Sequence, residues 1–193
     1  MSKNKLFVLI GKSGSGKSTI EKEIDRLGYA NKVISTTTRS PRSYEQDGVD
    51  YYFLNETVFN IYLKQGQYAE HSTYPTVWGD ANYGINKNDI KLNEGNAIAV
   101  VNPHGYFQLI DSLGKENVVG IYIDRDDRER VISAIERDKS DDLVSILEEV
   151  KRRVLADDFD FDGMKNKVDY VVENHRLHIA IDNIIEIIKK ETM

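Results

Sequence analysis

The chain has 193 residues, no cysteine and a formal net charge of −6, which excludes disulfides, thiolate metal sites and cysteine nucleophiles and argues against a broad nucleic-acid footprint. Charged residues at 30% and hydrophobic ones at 40% are ordinary for a soluble globular domain large enough for a proper core. No apolar run approaches a membrane span, and strand one begins too early for a signal peptide, so a cytoplasmic location is the expectation.

In chain order, Leu6–Ile10 reads as a buried parallel strand. It runs into Gly11-Lys12-Ser13-Gly14-Ser15-Gly16-Lys17-Ser18, which fits the phosphate-binding pattern G-x-x-x-x-G-K-[S/T]. From Thr19 to Leu27, Ile20, Ile24 and Leu27 recur at helical spacing, so strand, glycine loop and helix follow in the order the motif requires. Glycines let successive backbone N–H groups converge on an anion, and the helix N-terminus adds its positive end. Lys17 is expected to reach the terminal phosphates and the Ser18 hydroxyl to ligate Mg²⁺, with the ATP-binding stretch running from Gly11 to Thr19.

Further apolar runs at Lys32–Ser35, Ala97–Val101, Val118–Ile123 and Asp169–Val172 read as strands. Helical patterns over His104–Leu113, Asp126–Arg137 and Leu143–Leu155 separate them, and a last stripe carries Leu177, Ile181, Ile184, Ile185 and Ile188. This alternation predicts an α/β fold with a parallel sheet flanked by helices. Between residues 35 and 87 the texture changes to tyrosines and threonines. Tyr51–Leu54 and Tyr68–His71 read there as short strands around a small helix, Thr57–Lys64. A second, charged helical excursion spans 125–156, leaving 1–34, 88–124 and 157–193 as the core of a single domain. The acidic run Asp157–Asp162 reads as a solvated turn, and the four histidines are too scattered for a metal site.

Ser35-Thr36-Thr37-Thr38-Arg39-Ser40-Pro41-Arg42 begins at the end of a core strand, where open α/β sheets bind ligands. Two arginines three apart there form a candidate phosphate clamp. Asn86–Asp89 and Asp111–Gly114 echo GTPase motifs, but in reversed order and away from the strands they should follow.

Taken with Asp47-Gly48-Val49-Asp50-Tyr51-Tyr52-Phe53, Glu70, Tyr83-Gly84 and Asp169–Asn174, these segments resemble the guanylate kinase family of P-loop nucleoside monophosphate kinases, in the family's order and near its spacing. The resemblance implies a P-loop NTPase-type core with an inserted monophosphate-binding subdomain over 35–87 and a helical lid over 125–156. It also implies transfer of the γ-phosphoryl of ATP to a guanine mononucleotide with Mg²⁺, small-molecule nucleotides being the partners. It gives Arg39, Arg42, Tyr51 and Tyr83 the acceptor phosphate, Glu70 and Ser35 the guanine base, and Arg137 and Arg153 (or Arg152) the lid.

The chain departs from that family where a D-x-D pair is usual. The two positions hold Val100 and Asn102, which leaves Mg²⁺ to Ser18, water and the phosphates, with Asn102 as a neutral oxygen ligand beside the substrate. The stretch Thr73–Trp78 is longer than the family norm, and its Tyr74 and Trp78 either stack on a base or pack the excursion's own small core. A shifted base preference, a non-catalytic interaction module and a kinase of another phosphate ester therefore stay open at this point.

Overall fold

The computed structural model describes residues 4–77, 79–137 and 142–193, without the Arg137 side chain. Strand β1 (Leu6–Ile10) is apolar at every position and buried at every position, because both faces of its sheet are covered. Phe7 and Leu9 point to one layer, while Leu6, Val8 and Ile10 point to the other. Around it stand β2 (Asn31–Lys32), β7 (Ala97–Val100), β8 (Val118–Asp124) and β9 (Tyr170–Glu173), all parallel, in the order β2-β7-β1-β8-β9. Helices α1 (Lys17–Arg26) and α6 (Leu177–Thr192) seal one face, with Ile20, Ile24, Ile184 and Ile188 against Phe7, Leu9 and Ile121. Helix α3 (Pro103–Leu113) covers the other through Tyr106 and Leu109.

The expected strand at Lys32–Ser35 is cut short. Val33 still donates its N–H to the Ile98 carbonyl, but the chain then leaves the parallel sheet, and Thr36–Thr37 becomes β3 of a second sheet. That sheet has the order β4-β3-β6-β5, with β4 at Tyr52–Phe53, β5 at Tyr68–Thr76 and β6 at Gly79–Asn86. Helix α2 (Glu56–Lys64) precedes β5, capped by the Asn55 side chain on the Val58 N–H. Strand β5 is more than twice the expected length because the residues that lengthen this stretch extend a hairpin with β6, paired through to Thr76 and Gly79. Gln108 of α3 fastens β5 from outside, accepting from the His71 N–H at 2.8 Å and donating to its carbonyl at 3.0 Å. The edge of the second sheet is thereby fixed on the helix that covers the first.

The charged excursion contains α4 (Asp127–Arg137) and α5 (Leu143–Asp160), joined by a small cluster of Ala134, Ile146 and Val150. Helix α5 continues five residues past the expected end at Leu155.

On the α3 side, Gly120 of β8 lies flat against Tyr106, and a Cβ there would stand 2.6 Å from the ring. Asp169 closes the same corner, accepting from the Gly120 N–H at 2.7 Å and from Lys115. Gly120→Ala is expected to lower the unfolding free energy by about 1–3 kcal/mol through overpacking, read as a shift in urea midpoint at unchanged m value.

Candidate functional site

At the carboxyl end of β1 the backbone must turn sharply, and it does so on glycine. Gly11, Gly14 and Gly16 have φ of 153°, 79° and 95°, the region L side chains rarely adopt. Space is equally restrictive, since a Cβ on Gly14 would lie 2.0 Å from the Arg130 carbonyl and one on Gly16 2.4 Å from Asn174 Nδ2. Lys17 Nζ bends over the loop to donate to the Gly11 and Lys12 carbonyls at 2.6 and 2.9 Å and to Ser15 Oγ at 3.3 Å. Asn174, at the end of β9 and buried, donates to the Ser15 carbonyl at 2.8 Å.

Asp157 corrects the expectation that residues 157–162 form a solvated turn. The helix period of α5 carries the stripe of Ile146 and Val150 on to Asp157, which is buried. Its carboxylate accepts from the Ser13 N–H at 2.8 Å and pairs with Arg130 at 3.2 Å. Arg130 is 2% exposed and also bonds Asp127 at 2.6 Å. Lys12 meets Asp158 at 2.6 Å in an exposed pair.

A cleft of about 240 Å³ opens beside this loop. From the loop come Gly11, Ser13 and Lys17; from the second sheet and its approach Ser35, Arg39, Arg42, Tyr51, Glu70 and Tyr83; from the end of β7 Val100 and Asn102; and from α5 both Arg152 and Arg153. Residues widely separated in sequence therefore share one surface. Ser18 and Thr19 are exposed in the first turn of α1 and do not line the cleft; nor do the half-buried Lys12, Gly14 and Gly16 or the buried Ser15 of the loop. The Arg137 side chain and Trp78 lie outside the described residues.

Arg39 is held on several sides. Its guanidinium forms a two-pronged contact with Glu45 at 2.6 Å for both nitrogens and stacks 5.0 Å from the Tyr51 ring and 5.6 Å from Phe53. The same carboxylate accepts from the Arg42 N–H at 2.8 Å and from its guanidinium at 3.3 Å. Burial works against the charge on Glu45, but the two arginines outweigh it and hold its carboxyl below the usual range. Sequence reasoning passed over Glu45, although a lone acid inside a basic turn is a visible signal. Burial pushes the Tyr51 hydroxyl up to about 12, so it stays a neutral hydrogen-bonding group. Tyr83 meets Tyr51 and Tyr74 edge-on at 6.1 and 5.6 Å.

At the far end of the cleft Glu70 is 5% exposed. Burial pushes its carboxyl up to about 8, against a smaller opposing pull from the Ile85 backbone. Gly105 makes room for it: a Cβ there would stand 2.7 Å from Glu70 Oε2. Asn102 acts locally. As N-cap of α3, with Pro103 following, its Oδ1 accepts from the Gly105 N–H at 2.6 Å, and its Nδ2 donates to Ser72 Oγ at 3.2 Å. The oxygen expected for a metal thus also caps the helix.

Comparison with known proteins now bears on this arrangement. A family model described as guanylate kinase matches residues 3–191. The chain belongs to the guanylate kinase family. It is similar to the guanylate kinase of Wolbachia pipientis wMel, at 32% identity over all of this chain and 92% of that one. It is also similar to that of Thermotoga maritima, at 29% identity over 98% and 88%. A crystal structure of guanylate kinase from Anaplasma phagocytophilum superimposes with a TM-score of 0.71 and 26% identity, covering 100% of this chain and 88% of that one. As in the guanylate kinase fold, a parallel sheet flanked by helices carries the phosphate loop.

The family setting sharpens the chemistry of the metal. Among the described residues no group of three or more His, Asp or Glu side chains stands ready to hold a cation. The only donor the sequence offered besides Asn102 is the Ser18 hydroxyl. That set fits Mg²⁺ arriving on nucleotide phosphates, since this ion keeps its waters and needs few protein ligands. No helix of the described residues is long and apolar enough to cross a membrane.

If Asp157 belongs to the phosphate-loop scaffold, Asp157→Ala should lower stability by about 2 kcal/mol, through lost hydrogen bonds to charged groups and an under-paired Arg130. The exposed neighbour provides the contrast: Asp158→Ala should change stability by less than about 1 kcal/mol. Equal urea midpoints for the two variants would restore the solvated-turn reading.

Proposed function

We propose that this chain transfers the γ-phosphoryl of ATP to GMP or dGMP, giving ADP and the guanosine diphosphate. The observation that supports it best is that Lys17, the Arg39–Arg42 clamp and a buried Glu70 line one cleft. We read residues 35–87 as the acceptor-binding excursion and 125–156 as the lid, inserted in a single domain.

The residues divide the work by charge. Loop N–H groups and Lys17 receive the donor polyphosphate. Arg39, Arg42, Tyr51 and Tyr83 receive the acceptor phosphate, holding it without protonating it. With a second pKa of about 6, that phosphate is already a dianion at neutral pH. The reaction needs no general base, and positioning and charge neutralisation carry the catalysis. Mg²⁺, held by the phosphates and Ser18, supplies further neutralisation when bound. The α5 arginines line the same cleft as Lys17 and are suited to meet a transferring phosphoryl group there. Arg137 and Arg153 are the lid arginines in this reading, with Arg152, which lines the cleft together with Arg153, as the alternative to it.

For the base, an ionised Glu70 accepts from the adjacent N1–H and 2-amino donors of guanine, an edge adenine does not present. Sites built on such hydrogen bonds discriminate by about 10⁴-fold. Ser35, also on the cleft, is the second base contact. A specific observation favours a second reading, a shifted or relaxed base preference. The Asn102 oxygen caps α3 through the Gly105 N–H, and Ser72 and Tyr74 of the extended hairpin line the cleft with it. Steady-state turnover with GMP, dGMP, dTMP, UMP, CMP and AMP separates the two: activity confined to the guanine nucleotides supports Glu70 reading the base, and comparable turnover of dTMP overturns it.

The pH dependence follows from the Glu70 position. Below its pKa of about 8 the free site is protonated, so binding guanine requires loss of a proton. The Michaelis constant for GMP should therefore fall as pH rises from 6.5 to 8, by up to about tenfold per unit. Glu70→Gln should raise the constant and flatten its pH profile. A profile equally steep in both proteins would remove Glu70 from base recognition.

A further inference from the structure

Helix α5 carries a carboxylate that neither the loop nor the clamp uses. Glu149 is 4% exposed. It accepts from Arg152 through two nitrogens at 2.8 Å and from Arg153 Nε at 2.8 Å. Burial alone would push its carboxyl up, but the two arginines hold it down at about 2. Its Oε2 also accepts from the Val77 N–H at 3.3 Å, 72 residues away in sequence and at the tip of the β5–β6 hairpin. One buried carboxylate thus joins two cleft arginines to the end of a strand whose beginning carries Glu70. Val77 lies seven residue steps beyond Glu70, roughly 23 Å of extended chain.

We propose that Glu149 is a positioning residue that ties the hairpin tip to the Arg152–Arg153 pair, so that engagement of the acceptor along β5 and orientation of these arginines are coupled. The inference rests on the kinase reading above for its kinetic consequence, and on the structure alone for the tie itself. An arginine turned by a neighbouring carboxylate presents its remaining N–H groups in a fixed direction. A small misplacement of such a group costs up to about 100-fold in rate. The extended hairpin supplies the reach: a shorter connection between Glu70 and Tyr83 would end before α5. Glu149 touches no reacting atom in this account.

The test uses the full-length protein and two readouts. In amide hydrogen exchange without nucleotide, Glu149→Ala should speed exchange over residues 72–77 several-fold, whereas Glu149→Gln, which keeps an acceptor for Val77, should leave it near wild type. In steady-state assays with ATP and GMP, both variants should lower kcat by about 10- to 100-fold with the Michaelis constant for ATP within twofold. Val77→Pro, which removes the hairpin N–H and leaves Glu149 on its arginines, should lower kcat less, and the double variant with Glu149→Ala should be no slower than Glu149→Ala alone. Unchanged exchange in Glu149→Ala, unchanged kcat in Glu149→Gln, or additive losses in the double variant would each overturn the proposal. A wild type inactive on GMP and dGMP would sink the kinase reading instead, leaving the exchange arm to decide the tie.

Discussion

Five cationic side chains, Lys17, Arg39, Arg42, Arg152 and Arg153, line one small cleft, and their mutual repulsion is the constraint around which the rest of the structure is arranged. Two unit charges about 4 Å apart interact by about 4 kcal/mol at an effective dielectric of 20, so unliganded cations this concentrated need counter-charges. The fold supplies them from within rather than from solvent. Glu45 sits between the two clamp arginines, Glu149 between the two α5 arginines, and Asp157 joins the phosphate loop to Arg130. Each is a buried carboxylate with at least two donors, which is the condition under which a buried charge is tolerated. The cations are thereby held in place before any phosphate arrives, which reduces the reorganisation left for the reaction.

The same principle explains why Glu70 stands apart. It is as buried as the other three, but among the described residues no arginine is placed on it, whereas Asp157, whose carboxyl burial also raises, keeps Arg130. A carboxylate left without a cation is costly to the folded chain. Its contribution to stability runs opposite to those of Glu45 and Glu149, whose carboxyls are held low: between about pH 4.5 and 8 the folded form binds the extra proton, so stability falls as pH rises through that window. Such a cost is characteristic of groups kept for recognition. Close packing enforces its position, since Gly105 leaves the space its oxygen fills.

Much of the architecture was legible because its signals are local. The uninterrupted apolar run of β1, the glycine loop and the 3.6-residue stripes of α1 and α6 each require only neighbouring residues to be recognised, and each stands where expected. The misses were non-local. Residues 33–35 look like strand and contain β-formers, but only Val33 still bonds the first sheet, through Ile98, while the Ser35 carbonyl already accepts from Tyr52 of the second. Asp157 and Asp158 are indistinguishable as letters in an acidic run. Only the phase of α5 and the presence of Arg130 bury one and expose the other. Asn102 stands in the sequence where the resembled family has a carboxylate, and in space it is a helix cap.

The sequence by itself determined that a phosphate loop follows a buried strand and opens a helix, because glycine, lysine and a hydroxyl at fixed spacing meet a requirement of backbone geometry and anion chemistry. It also determined the α/β class, through hydrophobic period, and the resemblance to guanylate kinases. Only the tertiary structure decided which charges face which. Whether Glu45, Glu149 and Asp157 neutralise cations, and whether Glu70 is left without one, depends on burial and on partners up to 144 residues away. Electrostatic energy in a protein is set by distance and desolvation rather than by order along the chain.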